Sequence, residues 1–364
     1  MEKPLKIRLH VLSPVHIGCD DVYEPTSFVI DESKKKLISF DPLDFIKALT
    51  VDQRNEFIKI CSADNLLSLY QFIKRNYTPT VKSREVDIAS GLAVHYKKVI
   101  QMSSYDKDAV INQFTINRTS YNSQHNMPYI PGSSLKGSIR TAYLNAVAKV
   151  EEIHNWEGKA IELERKLLKG SFDTDPFRMV KVSDLVPAGA VKTKIVYAVN
   201  KKKKESEHSS LAEKGPQQIF EVIDEGIFEG TINIDTPMQN ANIALPITKG
   251  NLKKSINKFF IPLMEAEIKI LKDLDINVPL INKINNSFGG KINKSAFIIR
   301  VGRHSGAEAV TIEGHRNIKI MQGKDKRPKF NDHATTIWLA SEEAKPTNSD
   351  GLLPFGWAVM EVAG

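Results

Sequence analysis

Cysteine is nearly missing. Cys19 and Cys61 are the only two in 364 residues, without C-x-x-C spacing, which excludes a disulfide scaffold and a thiolate metal knot. Long apolar runs are missing too: none approaches the ~20 residues that cross a bilayer. The opening residues 1–10 alternate polar and apolar instead of forming the continuous apolar stretch of a secretory signal. His304, His315 and His333 lack zinc-like spacing, and neither H-E-x-x-H nor G-x-S-x-G occurs. These absences remove secreted, membrane-spanning, zinc-protease and serine-hydrolase readings. A cytoplasmic chain with no metal or cofactor is the expectation.

What is present is globular. Hydrophobic residues make up 41% and charged residues 26%, near the average for folded domains, and the length suits about two domains. Fifty-one basic against 43 acidic residues leave a net charge of +8. That moderate bias favours an anionic partner such as nucleic acid without requiring one.

Alternation predicts strands at 6–12, 26–30, 36–40, 93–99, 110–116, 179–185, 190–199, 218–222, 228–234, 296–301, 335–340 and 357–362, with a turn at 18–21. Apolar residues at three- and four-residue spacing predict helices over 42–77, from 133 to about 150, at 158–168 and over 248–274. The stretch 200–215, with Lys201–Lys204, has almost no apolar residues and reads as a lysine-rich mobile loop. It divides the chain into regions 1–199, carrying a helical insertion at about 42–77, and 216–364. Alternating strands interleaved with helices indicate an α+β fold with mostly antiparallel sheets.

The most informative stretch is 130–141, Ile-Pro-Gly-Ser-Ser-Leu-Lys-Gly-Ser-Ile-Arg-Thr. Pro131 and Gly132 set a turn, Ser133 or Ser134 is placed to cap the following helix, and Leu135 and Ile139 open its buried stripe. Lys136 and Arg140 are i,i+4 neighbours on one face, in the first turns, where the helix dipole is already positive. A phosphate on the free amides would turn that repulsion into binding. A capped helix with two solvated cations is the plainer alternative. Gly132 and Gly137 fit G-x-x-x-x-G, but Ser138-Ile139 replaces the Lys-Ser/Thr of a nucleotide P-loop.

Two further segments carry the same chemistry. Residues 13–18, Ser-Pro-Val-His-Ile-Gly, end the first strand with His16 and Gly18; His16 is a candidate ribose or phosphate contact or a packed turn histidine. Residues 300–306, Arg-Val-Gly-Arg-His-Ser-Gly, combine Arg300 and Arg303 with Gly302, Ser305 and Gly306 directly after a strand. Glycines open backbone amides to an anion, and arginine forks match phosphate oxygens. Arg118 and Arg316 also lie among polar Gly/Ser/Thr residues. Between 248 and 294 nine lysines face four acids, a solvated helix face or a secondary source of backbone attraction. His10 and His16 are the only pair offered for acid–base ribonuclease chemistry.

Taken together, residues 9–18, 129–141, 300–306 and the closing Leu353-Pro354-Phe355-Gly356-Trp357 resemble the RAMP superfamily of CRISPR-associated proteins. The arginine–glycine loop and Pro-Phe-Gly-Trp are similar to the capping subunit of the type III-A (Csm) effector complex. The resemblance implies a ferredoxin-like (RRM-like) RAMP palm with helical and β-hairpin insertions. It implies a non-catalytic subunit that binds the 3′ portion of the CRISPR RNA, caps the backbone filament and aids CRISPR RNA maturation. Its partners would be CRISPR RNA, the Cas7-like backbone subunit and other Csm subunits, with a host nuclease as a further candidate.

The expected RNA contacts are His16, Gly18, Arg118, Gly132, Ser133, Ser134, Lys136, Arg140, Arg300, Gly302, Arg303, Ser305 and Gly306. The RNP1 aromatics of an RRM are absent, so stacking on the sheet is not expected. Asp20, Asp21 and Asp31 fall near the position where related backbone subunits carry a catalytic aspartate, but their surroundings differ and none is assigned. The competing readings are a RAMP endoribonuclease that processes CRISPR RNA and a protein-only adaptor.

Overall fold

The computed structural model describes residues 3–63, 65–101, 114–153, 158–204, 218–322 and 327–363. Two sheets organise them. The first is built on β1 (Leu5–Val11), where Ile7 and Leu9 are buried and Arg8 between them is exposed. β1 pairs on one side with β10 (Ile227–Ile234) and on the other with β13 (Trp357–Ala363), which pairs with β11 (Ala296–Arg300). Beyond β10 lie β7 (Val180–Val182) and the short strand Val186–Pro187. Every pairing in this sheet is antiparallel.

Two helices cover this sheet: α5 (Gly132–Val150) and α7 (Lys249–Asp273), which pack on each other. Leu135, Ile139 and Ala142 of α5 and Phe260 and Met264 of α7 share one core with Ile7, Leu9, Ile298 and Trp357. Pro262 sits inside α7.

The second sheet runs β2 (Gly18–Val22), β6 (Ile116–Thr119), β9 (Gln218–Glu225), β8 (Lys192–Lys202), β5 (Ser83–Ile88), β4 (Lys36–Phe40) and β3 (Phe28–Asp31), with β12 (Thr336–Ser341) on the far half of β8. The pairs β8–β5 and β9–β6 are parallel. Its core gathers Phe28, Tyr96, Tyr197 and Leu339. Helices α1 (Pro42–Ala48) and α3 (Leu66–Asn76) pack on the β3–β4 hairpin through Phe45 and Phe72 against Phe40, and α2 (Val51–Ser62) joins them through Phe57. Strands β9 and β10 join the sheets through a turn at Gly226, and a bridge between Val15 and Ile223 ties them again. Each sheet thus takes strands from both sides of 200–215.

The mixed α+β class is as expected, with corrections in detail. Residues 93–99 are not a strand but part of α4 (Ser90–Ile100), whose buried Leu92, Ala93, Tyr96 and Val99 have helical spacing. Residues 18–21 are not a turn but open β2. Lys201 and Lys202 belong to β8, Lys203 and Lys204 follow it, and 205–215 fall outside the described residues. Of the strand expected at 110–116, residues 110–113 also fall outside, and β6 begins at Ile116. The helix expected at 158–168 is α6 (Ala160–Leu168). Strand β5 and helix α8 (Leu280–Phe288) were not anticipated.

Candidate functional site

Three segments far apart in sequence converge where the two sheets meet. The loop after β1 is pinned by hydrogen bonds from Gly356 N–H to Pro14 O at 2.9 Å and from Trp357 N–H to Ser13 Oγ at 3.0 Å. The loop after β11 lies beside it, with Arg303 N–H donating to His16 O at 2.8 Å across Gly302, whose φ is +87°. Helix α5 closes the third side, where Ser138 Oγ donates to Arg300 O at 2.7 Å.

Between them is a cleft of about 280 Å³. Its walls include Gly18, the α5 face of Ser133, Ser134, Gly137, Ser138 and Thr141, and the Gly302–Arg303–Ser305 loop. The Ser/Thr face follows from i,i+4 spacing along α5 (134, 138; 133, 137, 141), opposite the buried Leu135–Ile139 stripe. Among the described residues no carboxylate lines the cleft.

The α5 start differs from the expected cap. Pro131 precedes the helix without a side-chain cap, and neither serine serves as one. Instead Gly132 N–H donates to Asp184 Oδ1 at 2.8 Å, so one amide of the helix end is already taken by a carboxylate. Gly132 is buried against strand carbonyls, where a β-carbon would lie 2.3 Å from Val182 O. Its role here is close packing. Ser134 N–H turns back to Pro131 O at 3.0 Å, so the amide of the exposed Ser133 is what remains of the helix terminus on the cleft side.

The cations divide sharply. Arg303 is exposed in the cleft wall, its guanidinium 5.3 Å from the Phe220 ring. Arg300 is 3% exposed; it pairs with Glu267, donates to Phe355 O at 2.9 Å and lies over Trp357. Its charge is committed to holding the β11 end. Arg140 is likewise committed, 2.8 Å from both Glu164 and Asp175, so the repulsion expected at the helix start is relieved inside the protein. Lys136 shares that side of α5; burial, with Lys181 adding, holds its pKa below the usual lysine value.

Arg118 is also outside the cleft, stacked 3.4 Å from the Tyr121 ring centroid and facing Asp21 and the buried Glu221. Gly306 starts a short 3-10 helix, with φ +79°. Ser305 Oγ donates to Gly302 O at 2.6 Å and stiffens the loop.

The histidines are structural in their contacts. His16 is 1% exposed, with Nδ1 2.8 Å from Glu221 O. Burial, reinforced by Arg303, pushes its pKa down to about 4. His304, at φ +64°, packs edge-on against Phe220 and at a tilt against Trp338 and Phe355, and burial brings its pKa to about 3. His10 lies 3.1 Å from Glu361 and against Phe288.

Sequence reasoning missed Phe220 and Glu221, the β9 residues on which both loops rest. Glu221 is 1% exposed and 2.8 Å from Arg84. It also missed Gly137, Ser138 and Thr141, which the helical spacing alone places beside Ser133 and Ser134. Among the described residues no cluster of three or more His, Cys, Asp or Glu is placed to hold a metal ion, and no helix is long and apolar enough to cross a membrane.

The Ser133 and Ser134 hydroxyls, the Ser133 amide and the exposed Arg303 thus share one cleft, the donor chemistry that suits an anion. The chain belongs to the RAMP superfamily, whose family model matches residues 8–341. Among curated relatives it is similar to proteins described as "CRISPR system Cms protein Csm5". One is from Methanocaldococcus jannaschii, 25% identical over 201 residues, covering 50% of this chain and 42% of the relative. The other is from Streptococcus thermophilus, 25% identical over 207 residues, covering 51% and 52%. The matches thus span about half the length of these relatives.

Solved structures share the fold. A chain in the cryo-EM structure of a Csm–crRNA–target RNA ternary complex of a type III-A CRISPR-Cas system gives a TM-score of 0.62 at 18% identity, covering 98% of this chain and all of that one. The crystal structure of T. onnurineus Csm5 gives 0.54 at 16% identity, covering 97% and 99%.

Proposed function

We propose that this protein is a non-catalytic subunit of a type III-A CRISPR effector complex, acting in the cytoplasm, that holds the 3′ portion of the CRISPR RNA and caps the backbone filament. The observation that carries this reading is the convergence of residues 17–18, 133–141 and 302–305 on one cleft that no carboxylate of the described residues lines. An RNA backbone passing there would meet the Arg303 guanidinium, the Ser133 and Ser134 hydroxyls and the Ser133 amide. Phosphate contacts of this kind position a strand without reading its bases. Helix-start amides serve anions in the same way.

The strand order supports a RAMP palm of ferredoxin-like (RRM-like) type. β1, α5, β7 with Val186–Pro187, β10, α7 and β13 follow one another along the chain, and their strands lie in the order β7, β10, β1, β13. That is the βαββαβ arrangement, with β11 as an added edge strand. The capping role and the contacts with a Cas7-like backbone subunit and other Csm subunits rest on likeness to proteins of such complexes. A host nuclease enters only as a partner to seek by co-purification.

The endoribonuclease alternative has less support. His16 is buried and neutral, His10 is engaged by Glu361, and neither lines the cleft. The test is CRISPR RNA binding by the assembled complex carrying wild-type protein or Arg303→Ala, over a salt series. The reading expects weaker binding and a salt slope lower by about one phosphate contact in the variant, with the RNA intact after incubation. Unchanged affinity and slope, or specific cleavage lost on His16→Gln, would overturn it.

A further inference from the structure

A second and larger cavity, of about 940 Å³, opens on the other side of the 300–305 loop. It lies near the upper end of the ~300–1,000 Å³ of typical ligand sites. Its floor is one stripe of α7, with Pro262, Ala266 and Ile270 at four-residue spacing and Leu263 beside them. Pro262 and Ala266 are exposed there, although α7 buries its other face in the core. Pro262 has no N–H, so the carbonyl of Lys258, one turn earlier on the same wall, lacks its helical donor.

The rim is basic in a selective way. Four carboxylates line it: Glu267 is engaged by Arg300, Glu308 by Lys203 at 2.5 Å and Glu313 by Lys149 at 2.7 Å, while Asp273 has no cationic partner among the described residues and is outnumbered by the uncommitted cations. Lys202, Lys204 and Lys258 have no such partner among the described residues, and Arg316 Nε is buried without a hydrogen-bond acceptor.

We infer that this cavity docks an acidic peptide segment of a partner protein, with apolar side chains on the Pro262–Ala266–Ile270 stripe and carboxylates on Lys202, Lys204 and Lys258. Uncommitted cations around an apolar floor complement alternating carboxylate and aliphatic side chains. The Lys258 carbonyl matches a peptide N–H, and Arg316 Nε a carboxylate or carbonyl oxygen. RNA fits less well: the wall presents no exposed Phe, Tyr or Trp on which a base would stack, and Phe259 is 6% exposed. The site is independent of the proposed RNA cleft, sharing with it only Arg300 and Ser305 in the lining.

A random peptide library displayed on phage and panned on the full-length chain tests this, with Ala266→Glu protein as the counter-selection. The expected enrichment is for sequences with Asp or Glu flanking Leu, Ile or Phe. A selected peptide, synthesised with a fluorophore, should bind at least tenfold more weakly to Ala266→Glu and to Lys202→Glu/Lys258→Glu, and more weakly in high salt. Matching thermal melts would show that both variants fold. No enrichment, enrichment of sequences without acids, or equal binding to Ala266→Glu would overturn the inference. So would an oligouridine that competes with the peptide and itself loses affinity in Lys202→Glu/Lys258→Glu, which would assign the cavity to RNA. Arg303→Ala should leave peptide binding unchanged whatever its effect on guide RNA.

Discussion

A β-carbon on Gly302 would lie 2.5 Å from the carbonyl oxygen of His16. That carbonyl also accepts the Arg303 N–H, so the two loops touch backbone to backbone, and only glycine at φ +87° permits it. Gly302→Ala is expected to destabilise the protein by about 1–3 kcal/mol through strain, measured by urea unfolding. Gly137→Ala is the contrast. Gly137 lies inside α5 with no atom within 4 Å of the added carbon, so helix propensity predicts a gain of about 1 kcal/mol.

The arginines should separate by phenotype. Arg303→Ala removes an exposed cation and should lower RNA affinity and its salt slope while leaving the melting temperature unchanged. Arg140→Ala strips both Glu164 and Asp175 of their partner and should lower stability with little change in salt slope. A reversed pattern would move the RNA to the Lys136–Arg140 side of α5.

Glu267 joins Arg300 to the Trp357 indole, whose Nε1–H donates to it at 2.8 Å. Removing one member of a buried pair leaves the other charge uncompensated, at a typical cost of about 3–5 kcal/mol. Glu267→Ala is therefore expected to lower the urea midpoint strongly, and conservative Glu267→Gln less.

The stability of the loop junction should fall in acid. His16 titrates at about 4 in the folded protein against ~6.5 when unfolded. The unfolded chain therefore binds more protons between those values. The stabilisation is complete above pH 6.5 and is lost as pH falls through 4. At ~1.4 kcal/mol per unit, His16 accounts for roughly 3 kcal/mol. His16→Gln should reduce proton uptake on unfolding near pH 5 by about one, measured from the pH dependence of unfolding free energy.

Much of this was legible in the sequence because period and chemistry agreed there. Ile7 and Leu9 alternate as a half-buried strand must, and α5 and α7 follow 3.6-residue spacing nearly to their observed ends. Failures came where two periods overlap. Ala93, Tyr96 and Val99 are three apart, a helical rhythm, but the β-branched and aromatic residues among them imitate a strand. In the site, the glycine-bearing loops and the Ser133–Ser134 start were visible as motifs. Their meeting was not, because the contacts join residues more than a hundred positions apart. Nor does sequence show that Arg140 and Arg300 are spent on Glu164, Asp175 and Glu267, since partner choice is decided by tertiary packing. Arg303 looks the same in sequence and differs only in being left exposed.

The most direct measurement is photo-cross-linking in the reconstituted effector complex, using CRISPR RNA with 4-thiouridine at successive 3′ positions and mass spectrometry of the adducts. The account predicts adducts on residues 17–18, 133–141 and 302–305, from neighbouring nucleotides. Adducts confined to other surfaces of this chain, with those three segments unmarked, would contradict it.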